Sequence, residues 1–282
     1  MEELMEEKRT VVVAWDFSNV AEYALQHAIR FAKKTNTDVL LLNIVDAESD
    51  IDNIERQFNI VVEDVEHKYG YRPTYLVKVG SIFTTIAETA NEMDAHLVFM
   101  GTHGMKGLQK ITGSWALKVI EGAKMPFVVV QRPPREEQYE NIVFPVDYKK
   151  EGKQKVSWAL YLNRLYKSKF FLYVQNSTDP KLKQQVYSNL VYTKSILDQN
   201  EVEYEEVTAP DNKDFSDQVI DYSEKLNANA ILITVPRLLD IADYMFGAEE
   251  QKIIANKALI SVITVFPKEA KLGGFLGHGY GA

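Results

Sequence analysis

The chain of 282 residues contains no cysteine. Disulfides, thiol nucleophiles, Cys-ligated zinc and iron–sulfur clusters are thereby excluded, and the composition suits a reducing compartment. No segment reaches the ~18–20 continuous apolar residues of a membrane-spanning helix. The N-terminal Met1-Glu-Glu-Leu-Met-Glu-Glu-Lys8 is acidic and lacks the apolar stretch of a secretory signal. A cytoplasmic protein without a membrane partner is expected. Basic residues are in deficit, 32 Lys and Arg against 40 Asp and Glu, for a formal charge of -8. With no basic run interleaved with aromatics, that balance argues against a nucleic-acid partner. His27, His67, His96 and His278 show no metal-ligand spacing, so no metal site is expected. The G-x-S-x-G, Walker and G-x-G-x-x-G motifs are missing as well, and no residue is assigned a catalytic role.

What the sequence does contain is an alternation of apolar runs and helical patterns. Strands are expected near 10–15, 38–45, 74–79, 96–101 and 126–131, with helices near 19–34, 50–69, 81–93 and 113–123 between them. Ala21, Ala24, Leu25, Ala28 and Ala32 share one face of the first helix, and Asn19 with Glu22 reads as a capping-box-like start. The order then repeats, with strands near 141–146, 169–174, 203–208, 229–234 and 261–266. Asn141-Ile-Val-Phe-Pro-Val-Asp147 mirrors Thr10-Val-Val-Val-Ala-Trp-Asp16. A duplicated unit of about 130 residues accounts for the length. Domains are expected over 1–135 and 138–267, joined through Arg132-Pro-Pro-Arg-Glu-Glu-Gln138 and followed by a flexible glycine-rich tail, 268–282. The fold class is α/β, with two tandem doubly wound, Rossmann-like parallel sheets whose ligands bind where strand order reverses.

One stretch carries chemistry. Leu97-Val-Phe-Met100 empties into Gly101-Thr-His-Gly104, a loop follows, and Gly113-Ser114 opens the helical pattern Trp115-Ala-Leu-Lys-Val-Ile120. Glycines let backbone approach an anion, and the unpaired N–H groups of a helix's first turn point at its charge. Gly101, Gly104, Gly113 and the Ser114 hydroxyl would cradle a nucleotide phosphate. His103 is a further candidate donor, and Lys106 and Lys110 could screen phosphate charge. Asp16 either accepts from a ribose or base or caps the helix after it.

With these motifs, and with Val79-Gly80-Ser81 opening the third helix, the chain resembles a tandem universal stress protein. The resemblance covers both halves. It implies a five-stranded parallel sheet in each half, of the adenine nucleotide alpha hydrolase-like kind, with strands one and four flanking the reversal. It also implies a phosphate loop of pattern G-x2-G-x9-G-(S/T). Here eight residues separate Gly104 from Gly113, one fewer than the pattern. Carried over, the nucleotide-binding positions are Asp16, Ile44, Gly101, His103, Gly104, Gly113 and Ser114, with Asp16 and Ile44 beside the adenosine. Trp15 departs from the smaller residue usual there, and either stacks on a base or fills the pocket. In the second half Val235-Pro-Arg-Leu238 stands where Gly101-Thr-His-Gly104 does, and Ala248 replaces Ser114, so that half is read as degenerate.

The function implied is a stress-response sensor that binds ATP, ADP or AMP, with or without Mg2+, and does not turn it over quickly. A protein-interaction module of the same fold that binds no nucleotide is the alternative, and a slow ATPase the next. The apolar last strands, Phe127-Val-Val-Val130 and Val262-Ile-Thr-Val265, are expected to pair the halves as an internal pseudo-dimer. Association of two chains as a homodimer is a further expectation.

Overall fold

The computed structural model describes residues 9–102, 113–135, 139–211, 214–235 and 248–266. Residues 103–112, with His103 and Gly104, residues 236–247 and residues 268–282 lie outside the described residues. The first half runs β1 (Thr10–Ala14), α1 (Asn19–Thr35), β2 (Asp38–Val45), α2 (Ile51–Tyr69), β3 (Thr74–Val79), α3 (Ile82–Glu92), β4 (Leu97–Gly101), α4 (Gly113–Glu121) and β5 (Phe127–Val130). The second repeats it as β6 (Asn141–Val146), α5 (Val156–Tyr166), β7 (Lys169–Val174), α6 (Pro180–Gln199), β8 (Tyr204–Thr208), α7 (Phe215–Lys225), β9 (Ala230–Thr234), α8 (Ala248–Ile254) and β10 (Ser261–Val265).

The central strands are runs of β-branched and aromatic residues buried on both faces, which a parallel sheet covered by helices on each side demands. Their order is β3-β2-β1-β4-β5-β10-β9-β6-β7-β8. The two expected five-stranded sheets are therefore continuous. Every strand pair is parallel except β5 with β10, where Val129, Val128 and Phe127 face Val262, Ile263 and Thr264 antiparallel. The core splits into two layers. One holds α1, α2, α5 and α6 against the sheet, and the other holds α3, α4, α7 and α8.

Helix starts follow capping chemistry, with one correction to the sequence reading. Asn19 is the first residue of α1, not its cap. Ser18 caps it, its Oγ accepting from the Ala21 N–H at 3.2 Å. Ser81, Asp179 and Asp214 cap α3, α6 and α7 in the same way.

The seam between halves carries polar groups within its apolar packing. Phe31 of α1 lies 6.5 Å from Tyr161 of α5, ring centre to ring centre, and His96 Nε2 is 2.7 Å from the Tyr161 hydroxyl. His27 is buried, with Nε2 3.3 Å from the Arg132 carbonyl and Nδ1 3.2 Å from the Tyr139 hydroxyl. A carbonyl only accepts, so Nε2 donates to it and Nδ1 takes the tyrosine proton, an arrangement of the neutral ring. Burial pushes His27 down to about 3 and His96 down to about 4, from an ordinary 6.5. The unfolded chain thus binds protons below pH 6.5 that the folded chain refuses, and stability falls as pH drops through that window. At pH 5 the loss is on the order of 2 kcal/mol per histidine. Urea unfolding at pH 7.5 and pH 5 should show this fall in the wild type and a smaller one in a His27→Gln, His96→Gln variant.

Candidate functional site

Strand order reverses between β1 and β4, and the crevice beyond their carboxyl ends is where doubly wound sheets bind ligands. In the first half it holds a cavity of about 120 Å³. Ala14, Leu42, Ile44, Ile82, Ile86, Met100 and Val119 make an apolar lining, and Asp16 and Gly101 join them. Strand alternation delivers Ala14, Leu42, Ile44 and Met100 to one face, while Ile82 and Ile86, four apart on α3, close over it. Those two α3 residues went unassigned in the sequence reading, although their i, i+4 spacing beside the Gly80-Ser81 turn is visible there.

Asp16 sits in a tight reversal. One carboxylate oxygen accepts from both the Ser18 N–H, at 3.0 Å, and the Ser18 hydroxyl. Asp16 thereby orients the Ser18 cap, so the structure gives it a turn role beside its place on the crevice. Between them Phe17 adopts a left-handed φ of 61°, unusual for an aromatic residue. Packing against Phe58 at 5.2 Å and edge-on to Trp15 at 5.9 Å holds it there. Trp15 is among the crevice residues, but its indole joins the core on the α1–α2 side, opposite the face that carries Ala14 and Met100. The alternation of strand side chains sends it there rather than into a base-stacking position. Asn43 fastens the two strand ends, its Nδ2 donating to the Trp15 carbonyl at 2.8 Å.

Gly101 ends β4 against the first turn of α1. A Cβ at this position would stand 2.3 Å from the Val20 carbonyl oxygen, so only glycine permits the approach. Of the expected site residues, the structure brings Asp16, Ile44 and Gly101 to one crevice, and Gly113 with Ser114 opens α4, whose Val119 lines it. His103 and Gly104 lie outside the described residues. Among the described residues no group of three His, Asp or Glu could hold a metal ion, and no helix is long and apolar enough to cross a membrane.

Residues 8–131 match the universal stress protein family. The first half of the chain belongs to that family. Two universal stress proteins of Methanocaldococcus jannaschii are similar to it. One is 29% identical over 144 residues, covering 45% of this chain and 85% of its own. The other is 23% identical over 154 residues, covering 44% and 95%. Over the whole chain, the crystal structure of a universal stress protein from Archaeoglobus fulgidus superposes with a TM-score of 0.70 at 12% identity, covering 92% of this chain and 97% of that one. The second half shares the universal stress protein fold.

Register fixes the equivalences between the halves. Val11 faces Leu97 as Ile142 faces Ala230, and Gly101 faces Val130 as Thr234 faces Val265. Asp147 thus matches Asp16, and the residue matching Gly101 is Thr234. The sequence pattern sets Val235 there, and the structure corrects it by one residue. The hydrogen bond from the Val235 N–H to the Val265 carbonyl repeats that from Thr102 to Val130 and settles the register.

The equivalent crevice in this second half, with a cavity of about 40 Å³, is charged where the first is apolar. Asp147 caps its own turn, accepting from the Lys149 N–H at 3.0 Å. Lys149 Nζ reaches α8, 2.9 Å from Glu249 Oε2 and 2.7 Å from Glu250 Oε1. Burial works against the Lys149 ammonium, yet the two glutamates outweigh it and hold its pKa above the ordinary lysine value. Glu250 is raised, chiefly by burial. Lys155 is 3% exposed, donates to the Pro145 carbonyl and lies 4.5 Å from the centre of the Phe144 ring. Burial pushes it down to about 8, against the pull of Asp147.

Two predictions follow from this geometry. Gly101→Ala forces backbone apart and should destabilise the chain by about 2 kcal/mol or more in urea unfolding, whether or not a ligand is present. For Lys155, the unfolded chain holds a proton between about pH 8 and 10.5 that the folded chain has released. Stability of the wild type relative to Lys155→Met should therefore rise with pH across that window and stay level below it, as parallel urea titrations would show.

Proposed function

We propose that the chain is a stress-response regulatory protein whose first half binds one adenine nucleotide, ATP, ADP or AMP, without fast turnover. The observation that carries this reading is the apolar crevice at the β1–β4 reversal, with a cavity of about 120 Å³ and with α4 opening at Gly113. A planar base fits a slot walled by Ile44, Ile82, Ile86 and Met100, where few charges would have to be desolvated. Asp16, with one carboxylate oxygen engaged by Ser18, has the other for a ribose hydroxyl. The first turn of α4 carries no acidic residue, which suits a phosphate at that terminus. Gly101, His103, Gly104, Gly113 and Ser114 would complete the phosphate side, and Mg2+ would enter with the phosphates. The nucleotide-free interaction module is favoured by a separate observation, the second crevice, where charged side chains of the chain itself meet.

Thermal unfolding with ATP, ADP, AMP, cyclic AMP and inorganic phosphate discriminates these readings. A ligand at 100 times its Kd adds about 2.7 kcal/mol, or roughly 5–10 °C for a chain of this size. The expected result is a shift with an adenine nucleotide, one site per chain, and no shift in Gly113→Val. Cooperative unfolding at one temperature with all five ligands would overturn nucleotide binding in favour of the interaction module. Stoichiometric binding with steady release of phosphate would point to the ATPase.

A further inference from the structure

The two crevices are equivalent by register yet treat negative charge in opposite ways. The first turn of α4 has no carboxylate, whereas the first turn of α8 carries Glu249 and Glu250, pointing their charge at the positive end of the helix. Lys149, from the turn after β6, pairs with both, and its side chain is largely buried. Lys252 of α8 also meets Asp214 and Asp217 of α7, at 2.9 and 2.5 Å. α8 is thus fixed from two sides. Its remaining face packs directly on α4, with Ala116, Val119, Ile120, Ile253 and Ile254 in one apolar cluster. Val119 of that cluster also lines the first crevice.

We propose that Lys149, by pairing with Glu249 and Glu250, locks α8 in place, and that α8 so held braces α4 for ligand binding in the first crevice. Lys149 is then a positioning residue for a site in the other half of the chain. The argument from Lys149 to α4 depends on geometry alone, while its consequence for affinity rests on the nucleotide-binding reading above. A brace of this kind is a coupling between two places through one packed pair of helices, and couplings of that sort typically change affinity by 5–150-fold.

The test compares the wild type with Lys149→Met, Lys149→Arg and Glu250→Gln in the full chain. Glu250→Gln keeps side-chain shape and removes the 2.7 Å charge pair, so it serves if Lys149→Met fails to fold. Amide hydrogen exchange in the apo protein reads the brace directly. Exchange should quicken in both 248–254 and 113–121 on loss of the clamp, and Lys149→Arg should restore both. Faster exchange in 248–254 with 113–121 unchanged, or no change in either, would overturn the proposal. Calorimetric titration with ATP reads the consequence, with affinity about tenfold weaker in Lys149→Met at unaltered stoichiometry. If the wild type binds no nucleotide while 113–121 still responds, the binding reading fails and the brace stands. If nucleotide binds equally well to all four proteins, the brace is overturned as a determinant of affinity.

Discussion

Everything else in this molecule is arranged around three residue pairs, Val129 with Val262, Val128 with Ile263 and Phe127 with Thr264. Each half ends in a short strand of buried, mostly apolar residues, and in a lone half that strand would be an open sheet edge. Pairing the two antiparallel removes both edges at once and turns two parallel sheets into one of ten strands. It also decides which helices meet. α4 is brought onto α8 on one face, and α1 onto α5 on the other, where Phe31, His96, Trp158 and Tyr161 pack ring against ring, tilted or edge-on. The strand available for joining a second copy is consumed inside the chain. The edges left in the sheet are β3 and β8, whose outer positions are half exposed or exposed and include Lys78, Glu205 and Glu206.

Much of this was legible in the sequence because the information is local. Strand and helix positions follow from periodicity and punctuation, and the duplication follows from Asp16 and Asp147 closing matched apolar runs. The errors arose where the deciding contact is distant. Asn19 looked like a cap because it precedes an apolar face with Glu22 in register, but the residue with extended backbone is Ser18, oriented by Asp16. Trp15 was placed in the pocket by its neighbour, whereas strand alternation turns its ring to the other side of the sheet. The offset between the halves was misjudged by one residue at Thr234, since only hydrogen bonds to a strand thirty residues on define it. Gly101 illustrates the opposite case. Its sequence context points to a phosphate, whereas the contact that requires glycine in the structure is the Val20 carbonyl.

The second crevice was readable only as a loss. Val235 and Pro236 signalled that a phosphate loop had gone, but nothing in a linear reading joins Lys149 to Glu249 and Glu250 a hundred residues away. Nor does periodicity mark Lys155, which sits in a polar stretch and yet is buried. Buried ions are expensive to desolvate, and replacing such a set by apolar residues is often neutral or stabilising. Stability alone therefore does not account for a buried and a half-buried lysine in the place where the other half keeps an apolar slot.

Geometry offers a physical account. A helix whose first turn is meant to receive an external anion is incompletely satisfied until that anion arrives, because its leading N–H groups lack partners. If both halves were built this way, α4 and α8 would be loose together, since they pack on one another. Giving α8 its own carboxylates and a lysine to hold them settles one member of the pair permanently. The other then closes against a surface already in place, and the ordering left for a ligand to do is confined to a single helix. On this argument the duplication does not provide two sites of which one decayed. On the nucleotide-binding reading proposed above, it provides one site and a fixed wall beside it, with α8 carrying its own carboxylates.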